Sequence, residues 1–393
     1  MPRPFPAFCM TGARILRDGT LLDAPLSVAE GQVVDAAQPQ LDLSGYLVLP
    51  GIIDLHGDAF EHHMAPRPSA PFPFETGLVG TDRDAAANGV TTAWMAQSWS
   101  WEGGHRGPDY AEGFLAAHAA YRPRMQTDLR IQIRCETHTV DQKDRLITAI
   151  RDHGIDYVIF NNHLDEALDL ARTKPEEIVY WARKSGRTAD EHMARVHAAQ
   201  AQDKDVPRYL CDLAAAFDRM GVTYGSHDDH DAATREHYSM IGAKICEFPT
   251  SMKAALVARA WGDPILMGAP NVVRGGSQSG NIAASVLVAE GACDALVSDY
   301  YYPALSQAAF KLADNGVLTF AKAWEMISTR PAAIMGLADR GTLDTGKRAD
   351  LTIINADTRQ IEATMAGGRW THLCGEVAAR VSDAPARLSV AAE

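Results

Sequence analysis

His56 and Asp58 are the first residues of this 393-residue chain whose types and spacing could do chemistry. They close the run Leu47-Val-Leu-Pro-Gly-Ile-Ile-Asp-Leu-His56-Gly-Asp58, which has the composition of one buried strand. Side chains two apart on a strand point to the same face, so both residues should enter one pocket. An imidazole beside a carboxylate suits a divalent ion such as zinc or manganese. The pair could instead be a satisfied core histidine and a loop cap.

Histidine and acidic residues also occur where later strand-like runs of the sequence end. Such side chains are costly to bury unless they are paired or bound to a metal. Their recurrence at five predicted strand ends therefore indicates one shared site. The residues at these ends are His56 and Asp58; Glu136 and His138; Asn161-Asn162-His163; Ser226-His227-Asp228-Asp229-His230; and Ser298-Asp299.

This number of candidates suits two divalent ions that share a bridging carboxylate. Ions about 4 Å apart can hold a water molecule and lower its pKa toward about 7. Asp299 is the predicted catalytic base, which accepts a proton as the water attacks. The predicted ligands are His56, Asp58 and Asp299 for one ion, His163 and His227 for the other, and Glu136 as the bridge.

Several neighbouring residues have simpler interpretations. Glu136 could form an ion pair with Arg134 or with another basic neighbour instead of bridging metals. For Asp228, Asp229 and His230 we favour a role in orienting the ligands. Three further histidines are not assigned to a metal: His138, which stays undecided, and His62 and His63, for which a substrate or surface role is favoured.

The candidate residues need a scaffold that brings several strand ends together. Strand-like and helix-like runs alternate through the middle of the chain. The predicted strands are 47–55, 90–96, 129–135, 156–160, 222–225, 244–248, 264–267 and 295–297. The predicted helices are 82–88, 110–121, 142–152, 208–220, 253–260, 282–290 and 305–314.

Eight strand–helix units in about 250 residues indicate a parallel barrel, in which chemistry collects at the carboxyl ends of the strands. A doubly wound open sheet is the alternative. It would place a glycine-rich phosphate fingerprint after the first strand, and the sequence has none there. The predicted fold is therefore α/β, a (β/α)8 TIM-like barrel with a small β-sandwich domain formed from both termini.

The domain boundaries follow from short strand-like runs at the two ends of the chain, which need a partner to close a core. Residues 1–48 and 341–393 are predicted to form the small β domain, with a frayed tail after about residue 380. Residues 49–340 are predicted to form the barrel. The long segment 161–207 within it could be a lid over the active face or a solvated hairpin, and the sequence favours neither.

Composition limits the classes of partner. The 50 acidic and 37 basic residues give a net charge of −13, which argues against non-specific binding to nucleic acid or to an anionic membrane. The six scattered cysteines are typical of reduced thiols, and the start of the chain lacks an apolar signal region. We therefore predict a cytoplasmic protein; a homo-oligomeric state is compatible with the sequence but not required by it.

Four stretches carry a resemblance to a known family: His56-Gly-Asp58 with Pro66-Arg-Pro68, Ser226-His-Asp-Asp229, the run from Met267 to Asn281, and Ser298-Asp-Tyr-Tyr. The run Pro50-Gly-Ile-Ile-Asp-Leu-His56 and the late segment 341–351 resemble the amidohydrolase superfamily, and the four stretches resemble, more narrowly, its phosphonate-degradation member in the carbon–phosphorus lyase pathway. The likeness runs from the first barrel strand to about residue 355. The usual second histidine of the first strand is Asp58 here, and Glu136 looks like the stand-in for the usual bridging lysine.

The resemblance implies hydrolysis of α-D-ribose 1-methylphosphonate 5-triphosphate to the 5-phosphate and pyrophosphate, by a protein that could associate with other enzymes of that pathway. A triphosphate needs cations and oriented N–H groups, which a glycine-rich loop and a following helix could offer. An ordinary loop is the alternative. The predicted substrate-binding residues are Arg67, Arg274, Gly275, Gly276, Ser277, Ser279 and Asn281.

Two other classes of function remain open from the sequence. The first is an amidohydrolase that cleaves C–N bonds with the same metals, which would release ammonia or an amine. The second is a non-enzymatic relative that keeps the fold as a scaffold, which would lack metal ligands.

Overall fold

Eighteen strands and sixteen α-helices form the part of the chain that the computed structural model describes, residues 6–67, 70–184 and 186–388. The strands are β1 Phe8–Thr11, β2 Arg14–Arg17, β3 Thr20–Asp23, β4 Leu26–Ala29, β5 Gln32–Val34, β6 Gln40–Asp42, β7 Tyr46–Pro50, β8 Ile52–Gly57, β9 Val90–Trp99, β10 Asp128–Glu136, β11 Tyr157–Asn161, β12 Thr223–His227, β13 Ile245–Glu247, β14 Ile265–Gly268, β15 Ala295–Val297, β16 Leu351–Asn355, β17 Ile361–Ala366 and β18 Arg369–Leu373. The helices are α1 Phe60–Met64, α2 Phe74–Ala87, α3 Pro108–Tyr121, α4 Lys143–His153, α5 Leu164–Thr173, α6 Pro175–Lys184, α7 Ala189–Gln200, α8 Val206–Met220, α9 Ala232–Met240, α10 Met252–Trp261, α11 Ala269–Arg274, α12 Ala284–Ala289, α13 Ala304–Asp314, α14 Phe320–Glu325, α15 Thr329–Ile334 and α16 Gly375–Leu388.

Strands β8 to β15 form one parallel sheet in the order of the sequence, which confirms the predicted barrel. The two edge strands meet where a parallel bridge joins Gly57 to Asp299, and the Asp299 N–H donates to the His56 carbonyl at 3.1 Å. The buried Asp54 carboxylate adds to this closure by accepting from the backbone N–H of Ser298 at 2.8 Å and from its hydroxyl at 2.6 Å. Burial raises the pKa of Asp54 to about 7, although the bonds from Ser298 oppose that rise.

The opening run 47–58 is two strands, so its prediction as a single strand is wrong. Strand β7 belongs to a sheet of the terminal domain, and β8 begins the barrel. The break falls at Gly51, whose N–H donates to the Asp350 carbonyl at 2.9 Å, while the next N–H, from Ile52, donates to Gly89 at 3.0 Å. Both strands are buried and apolar, so composition does not reveal where one sheet ends and the other begins.

Gly51→Ala should destabilise the protein because the join between the two sheets has no room for a side chain. An added Cβ would lie 2.5 Å from both Cγ2 and Oγ1 of Thr91, whose hydroxyl donates to the Ile52 carbonyl. Such overpacking costs about 1–3 kcal/mol, which should lower the midpoint of thermal unfolding. Gly276→Ala is the control, because an added Cβ there meets no described atom within 4 Å. Equal midpoints for the two variants would contradict the tight join.

Two further sheets are built from the termini, as predicted. One has the order β5-β4-β1-β6 and contains N-terminal strands only, and the other has the order β18-β17-β16-β7-β2-β3 and combines strands from both termini. They share a hydrophobic core that includes Met10, Val48, Ile353 and Met365. The tail predicted to fray after about residue 380 instead continues helix α16, which begins at Gly375 and packs Val377 and Val381 into the same core. Residues 389–393 lie outside the described residues.

The segment 161–207 contains three helices, α5 to α7, and packs against the loop after strand β9. Trp101 of that loop shares a small hydrophobic core with Leu164, Val196 and Ala199 of the segment. Arg195 Nη1 also donates to the Trp101 carbonyl at 3.2 Å. The segment is therefore fixed to a loop at the carboxyl end of the barrel. In the described ranges, no helix has the length and apolarity needed to cross a membrane.

Candidate metal centre

His56, His227 and Glu247 converge at the carboxyl end of the barrel from strands β8, β12 and β13. One potential ligand atom from each lies within 4.8 Å of the other two. The two imidazole rings have centroids 5.3 Å apart, and the ring of Phe248 lies against both, at 5.1 and 4.9 Å. Asp58 lies beside this group, with its Oδ1 3.9 Å from His56 Nε2.

The charges of this group depend on one another. Burial alone would lower the pKa of His56, but the Glu247 carboxylate outweighs that effect and, with Asp58, raises it to about 9. Burial would likewise raise the pKa of Glu247, but the charge of His56 holds it below its usual value. Burial lowers the pKa of His227, whose ring is therefore neutral near pH 7 and able to act as a ligand.

Four buried atoms of this group fit a bound cation. His56 Nδ1 lies 2.9 Å from Glu247 Oε2, and His227 Nδ1 lies 3.0 Å from Asp228 Oδ2. Within the described part of the chain, however, neither these atoms of His56, His227 and Glu247 nor Asp58 Oδ1 makes a hydrogen bond of good geometry. A buried polar atom without a partner costs about 1–3 kcal/mol, and a divalent ion would remove that cost. Two imidazoles with carboxylate oxygens form a donor set that suits zinc or manganese.

Glu102, Glu136 and His163 form a second group of potential ligands, again with one atom from each within 4.8 Å. Here the side chains already form ion pairs and hydrogen bonds with one another or with their neighbours. Glu136 lies 2.6 Å from His163 Nδ1 and accepts from Asn161 Nδ2 at 2.7 Å, and Glu102 pairs with Arg106 at 2.8 Å. Glu136 therefore forms an ion pair with a basic neighbour, as the sequence alternative allowed, but the partner is His163 and not Arg134.

The structure groups the predicted ligands differently from the prediction. His163 and His227 were expected to share an ion bridged by Glu136, but His227 lies with His56, whereas His163 and Glu136 lie with Glu102. Strand order does not explain the division, because β11 and β12 are neighbours whereas β8 and β12 are four strands apart in the sheet. His56, His227 and Glu247 lie within their strands, whereas Glu102 and His163 lie on the loops after β9 and β11.

Two acidic residues of these groups, Glu102 and Glu247, were missed by sequence reasoning. Glu247 is the last residue of strand β13, but it fell inside the predicted strand 244–248. Glu102 follows strand β9, which runs to Trp99 and not to the predicted end at residue 96. An acidic residue at a strand end was the signal for both.

Asp299 lies beside Asp58 at the closure of the barrel. Burial and the charge of Asp58 together raise the pKa of Asp299 to about 6. Its backbone is left-handed, with φ +56°, as is that of Asp228 (+58°) and Phe248 (+51°). Asp228 and Phe248 directly follow β12 and β13, and Asp299 comes two residues after the end of β15. Such conformations are rare outside glycine and cost about 1–3 kcal/mol each, and they concentrate at functional sites.

A cleft of about 220 Å3 opens beside the metal group. The loop after helix α11 forms part of its wall, so five predicted substrate-binding residues line it. They are Arg274, Gly276, Ser277, Ser279 and Asn281. Gly275 follows the last residue of helix α11 with φ +89° and is not among the described residues that line the cleft. Arg67 is exposed on the loop after α1 and is not among them either. The helix predicted from residue 282 begins at Ala284 and has six residues.

The remaining histidines of the sequence prediction have other partners. His138 Nε2 lies 2.9 Å from Asp203 of the inserted segment, and His63 Nε2 lies 3.2 Å from Asp84. His62 and His230 are exposed. None of them joins either group of potential ligands formed by the described residues.

The chain is similar in sequence and in fold to known proteins of one class. The Amidohydrolase family model matches residues 303–377. Solved structures with the same fold include N-acetylglucosamine-6-phosphate deacetylase from Pasteurella multocida (12% identity, TM-score 0.60, 93% of this chain and 99% of that chain). Dihydropyrimidinase from Brevibacillus agri is another (12% identity, TM-score 0.59, 95% of this chain and 97% of that chain). The chain belongs to the amidohydrolase superfamily and is a hydrolase of that class.

One relative is similar over nearly the whole chain. It is α-D-ribose 1-methylphosphonate 5-triphosphate diphosphatase from Escherichia coli (strain K12). The two sequences are 30% identical over 376 residues, which cover 90% of this chain and 96% of that protein.

Proposed function

We propose that this protein is a metal-dependent diphosphatase that hydrolyses α-D-ribose 1-methylphosphonate 5-triphosphate to the 5-phosphate and pyrophosphate in phosphonate catabolism. One observation carries the proposal. A single cleft is lined on one side by His227 of the metal group and by the neighbouring Asp58. Its other lining residues include Arg274, Gly276, Ser277, Ser279 and Asn281, which offer a guanidinium, hydroxyl groups and an accessible backbone. The name of the 30% identical relative supports the same activity.

The proposed cofactor is one or two divalent ions, zinc or manganese. His56, His227 and Glu247, with Asp58 beside them, would hold the first ion. Glu102, Glu136 and His163 would hold the second. A bound ion supplies Lewis acidity for the attacked phosphoryl group and acidifies water.

The side chains of the protein have distinct roles in this reaction. Asp299 lines the cleft and accepts the proton of the attacking water. Arg274 can hold two phosphate oxygens in a fork, and Ser277 and Ser279 donate their hydroxyls, so that the loop stabilises the leaving pyrophosphate. Arg274 is already directed by bonds to Gln278 at 3.0 Å and to the Tyr300 hydroxyl at 3.4 Å.

The rate should depend on pH through the proposed base. Asp299 accepts a proton only when its carboxyl is ionised, and its pKa is raised to about 6 by burial and by Asp58. We therefore expect kcat to be constant above this pH and to fall as the pH drops through about 6. A steady-state profile between pH 4.5 and 8.5 measures this. A rate that stays constant down to pH 5 would contradict the assignment.

A panel of substrates tests the proposed function directly. We expect the metal-loaded protein to release pyrophosphate from the ribosyl methylphosphonate triphosphate, and not ammonia or an amine from hydantoins, dihydropyrimidines or N-acyl sugars. Release of an amine with no release of pyrophosphate would replace the proposal with hydrolysis of C–N bonds. A protein that contains no metal and turns over none of these compounds would indicate a binding scaffold.

A further inference from the structure

We propose that Arg134, which none of the motifs above includes as a substrate-binding residue, binds the phosphoryl group that is attacked, at the buried side of the cleft. The inference rests on the proposed diphosphatase function and extends it to the orientation of the substrate. The triphosphate would lie between two guanidinium groups, with its α-phosphate at Arg134 and its terminal phosphates at Arg274.

Arg134 is a buried cation with unused hydrogen-bonding capacity. It lies in strand β10, and its side chain is 9% exposed. A guanidinium carries five N–H donors. In the described ranges its one acidic partner is Asp58, at 3.2 Å from Nη1, and its Nε is buried without a hydrogen-bond partner. A buried arginine in this state is a strong site for an oxyanion.

The position of Arg134 suits the attacked group. It lines the same cleft as Asp299, the proposed base, and His227 of the metal group. Its bond to Asp58 uses Oδ2 and leaves Oδ1 facing His56 at 3.9 Å, so the guanidinium and a metal ion can share that carboxylate. An oxyanion bound here would therefore meet both positive groups.

Arg274 marks the other end of the cleft. Its guanidinium bonds are exposed, and it is the last residue of helix α11, whereas Arg134 lies in barrel strand β10. One buried and one exposed cation in a single cleft match an anion several phosphates long. A neutral amide substrate would leave Arg134 with Asp58 as its one acidic partner in the described ranges and would bring no anion to its buried Nε.

In this orientation, hydrolysis takes place at the α-phosphorus. The oxygen of water forms a bond to the α-phosphorus, and the bridging bond from that phosphorus to the β-phosphate oxygen breaks. The proton of the water passes to Asp299. The 5-phosphate remains beside Arg134, and pyrophosphate leaves along Arg274.

Calorimetric titration of the metal-loaded protein with inorganic phosphate and tripolyphosphate tests the inference without turnover. We expect Arg134→Met to weaken both ligands by about 10- to 100-fold, as for the loss of a charged hydrogen bond. We expect Arg274→Met to weaken tripolyphosphate only. Arg134→Lys should lie between Arg134→Met and the wild type. Arg130→Met is the matched control, because Arg130 lies in the same strand and pairs with Asp128 and Asp156.

Metal content and thermal unfolding are measured on every variant. Arg134→Met with wild-type affinity for both anions would overturn the inference. So would a loss of affinity that follows a loss of metal and is reversed by added metal, because Arg134 would then only position Asp58. Failure of the wild-type protein to turn over the ribosyl triphosphate would refute the proposed function alone, since the binding comparison does not depend on it.

Discussion

Asp299→Asn should lower kcat for pyrophosphate release by about 10²- to 10⁴-fold, the usual contribution of a general base. The amide keeps the shape of the side chain but cannot accept the proton of the attacking water. Because the N–H of Asp299 still bonds to His56, the closure of the barrel should persist. Steady-state kinetics with a pyrophosphate-coupled assay measure the effect, and KM should change little.

Asp18→Asn is the matched control for this variant. Asp18 is exposed in a turn of the terminal domain and has the same left-handed backbone, with φ +50°. Its replacement should leave kcat unchanged. Undiminished turnover in Asp299→Asn would discard Asp299 as the base, and loss of bound metal in parallel with turnover would make it a ligand instead.

Glu247→Gln should empty the metal group formed by His56, His227 and Glu247. Replacing residues that only orient a ligand changes metal affinity by about 10- to 100-fold, so loss of a ligand should cost about 100-fold or more. A neutral amide also removes the charge that raises the pKa of His56, 2.9 Å away. Competition with a chelating dye measures the affinity, and elemental analysis measures the content.

Glu236→Gln on the exposed face of helix α9 is the control for loss of a carboxylate, and it should keep its metal. The buried partners of Glu247, the Tyr157 hydroxyl at 2.6 Å and Gln132 at 2.7 Å, can also bond to an amide, so the fold should survive. Wild-type metal affinity in Glu247→Gln would show that Glu247 serves only as a partner for His56.

The scaffold was largely predictable from local patterns. Each of the eight predicted runs that alternate with helices overlaps a barrel strand, and β15 has the predicted bounds, Ala295–Val297. The exception is the run 47–58, which was predicted as one strand and forms β7 and β8. Both strands are buried and apolar, and they differ in the strands with which they pair. Nothing local distinguishes a strand that pairs with β16 from one that pairs with β9.

The candidate site was less predictable because it depends on which side chains from different strand ends meet. Residue types at strand ends identified His56, Glu136 and His227, but their grouping depends on which side chains lie within the strands and which lie on the loops that follow them. Glu102 could not be assigned from the sequence for the same reason. It lies near His163 because two loops that are separate in the sequence meet in the fold.

The role of the inserted segment 161–207 also could not be predicted from the sequence. Its spacing left a lid and a solvated hairpin equally open. Arg187 donates to the Glu102 carbonyl and Arg195 to that of Trp101. The segment therefore holds the loop that carries a potential ligand.

Diffraction from crystals grown with manganese or zinc tests the central claim most directly. An anomalous difference peak should lie between His56, His227 and Glu247, at about 2.0–2.2 Å from their ligand atoms. A protein that binds a stoichiometric ion elsewhere, with no peak among these three side chains, would contradict the account.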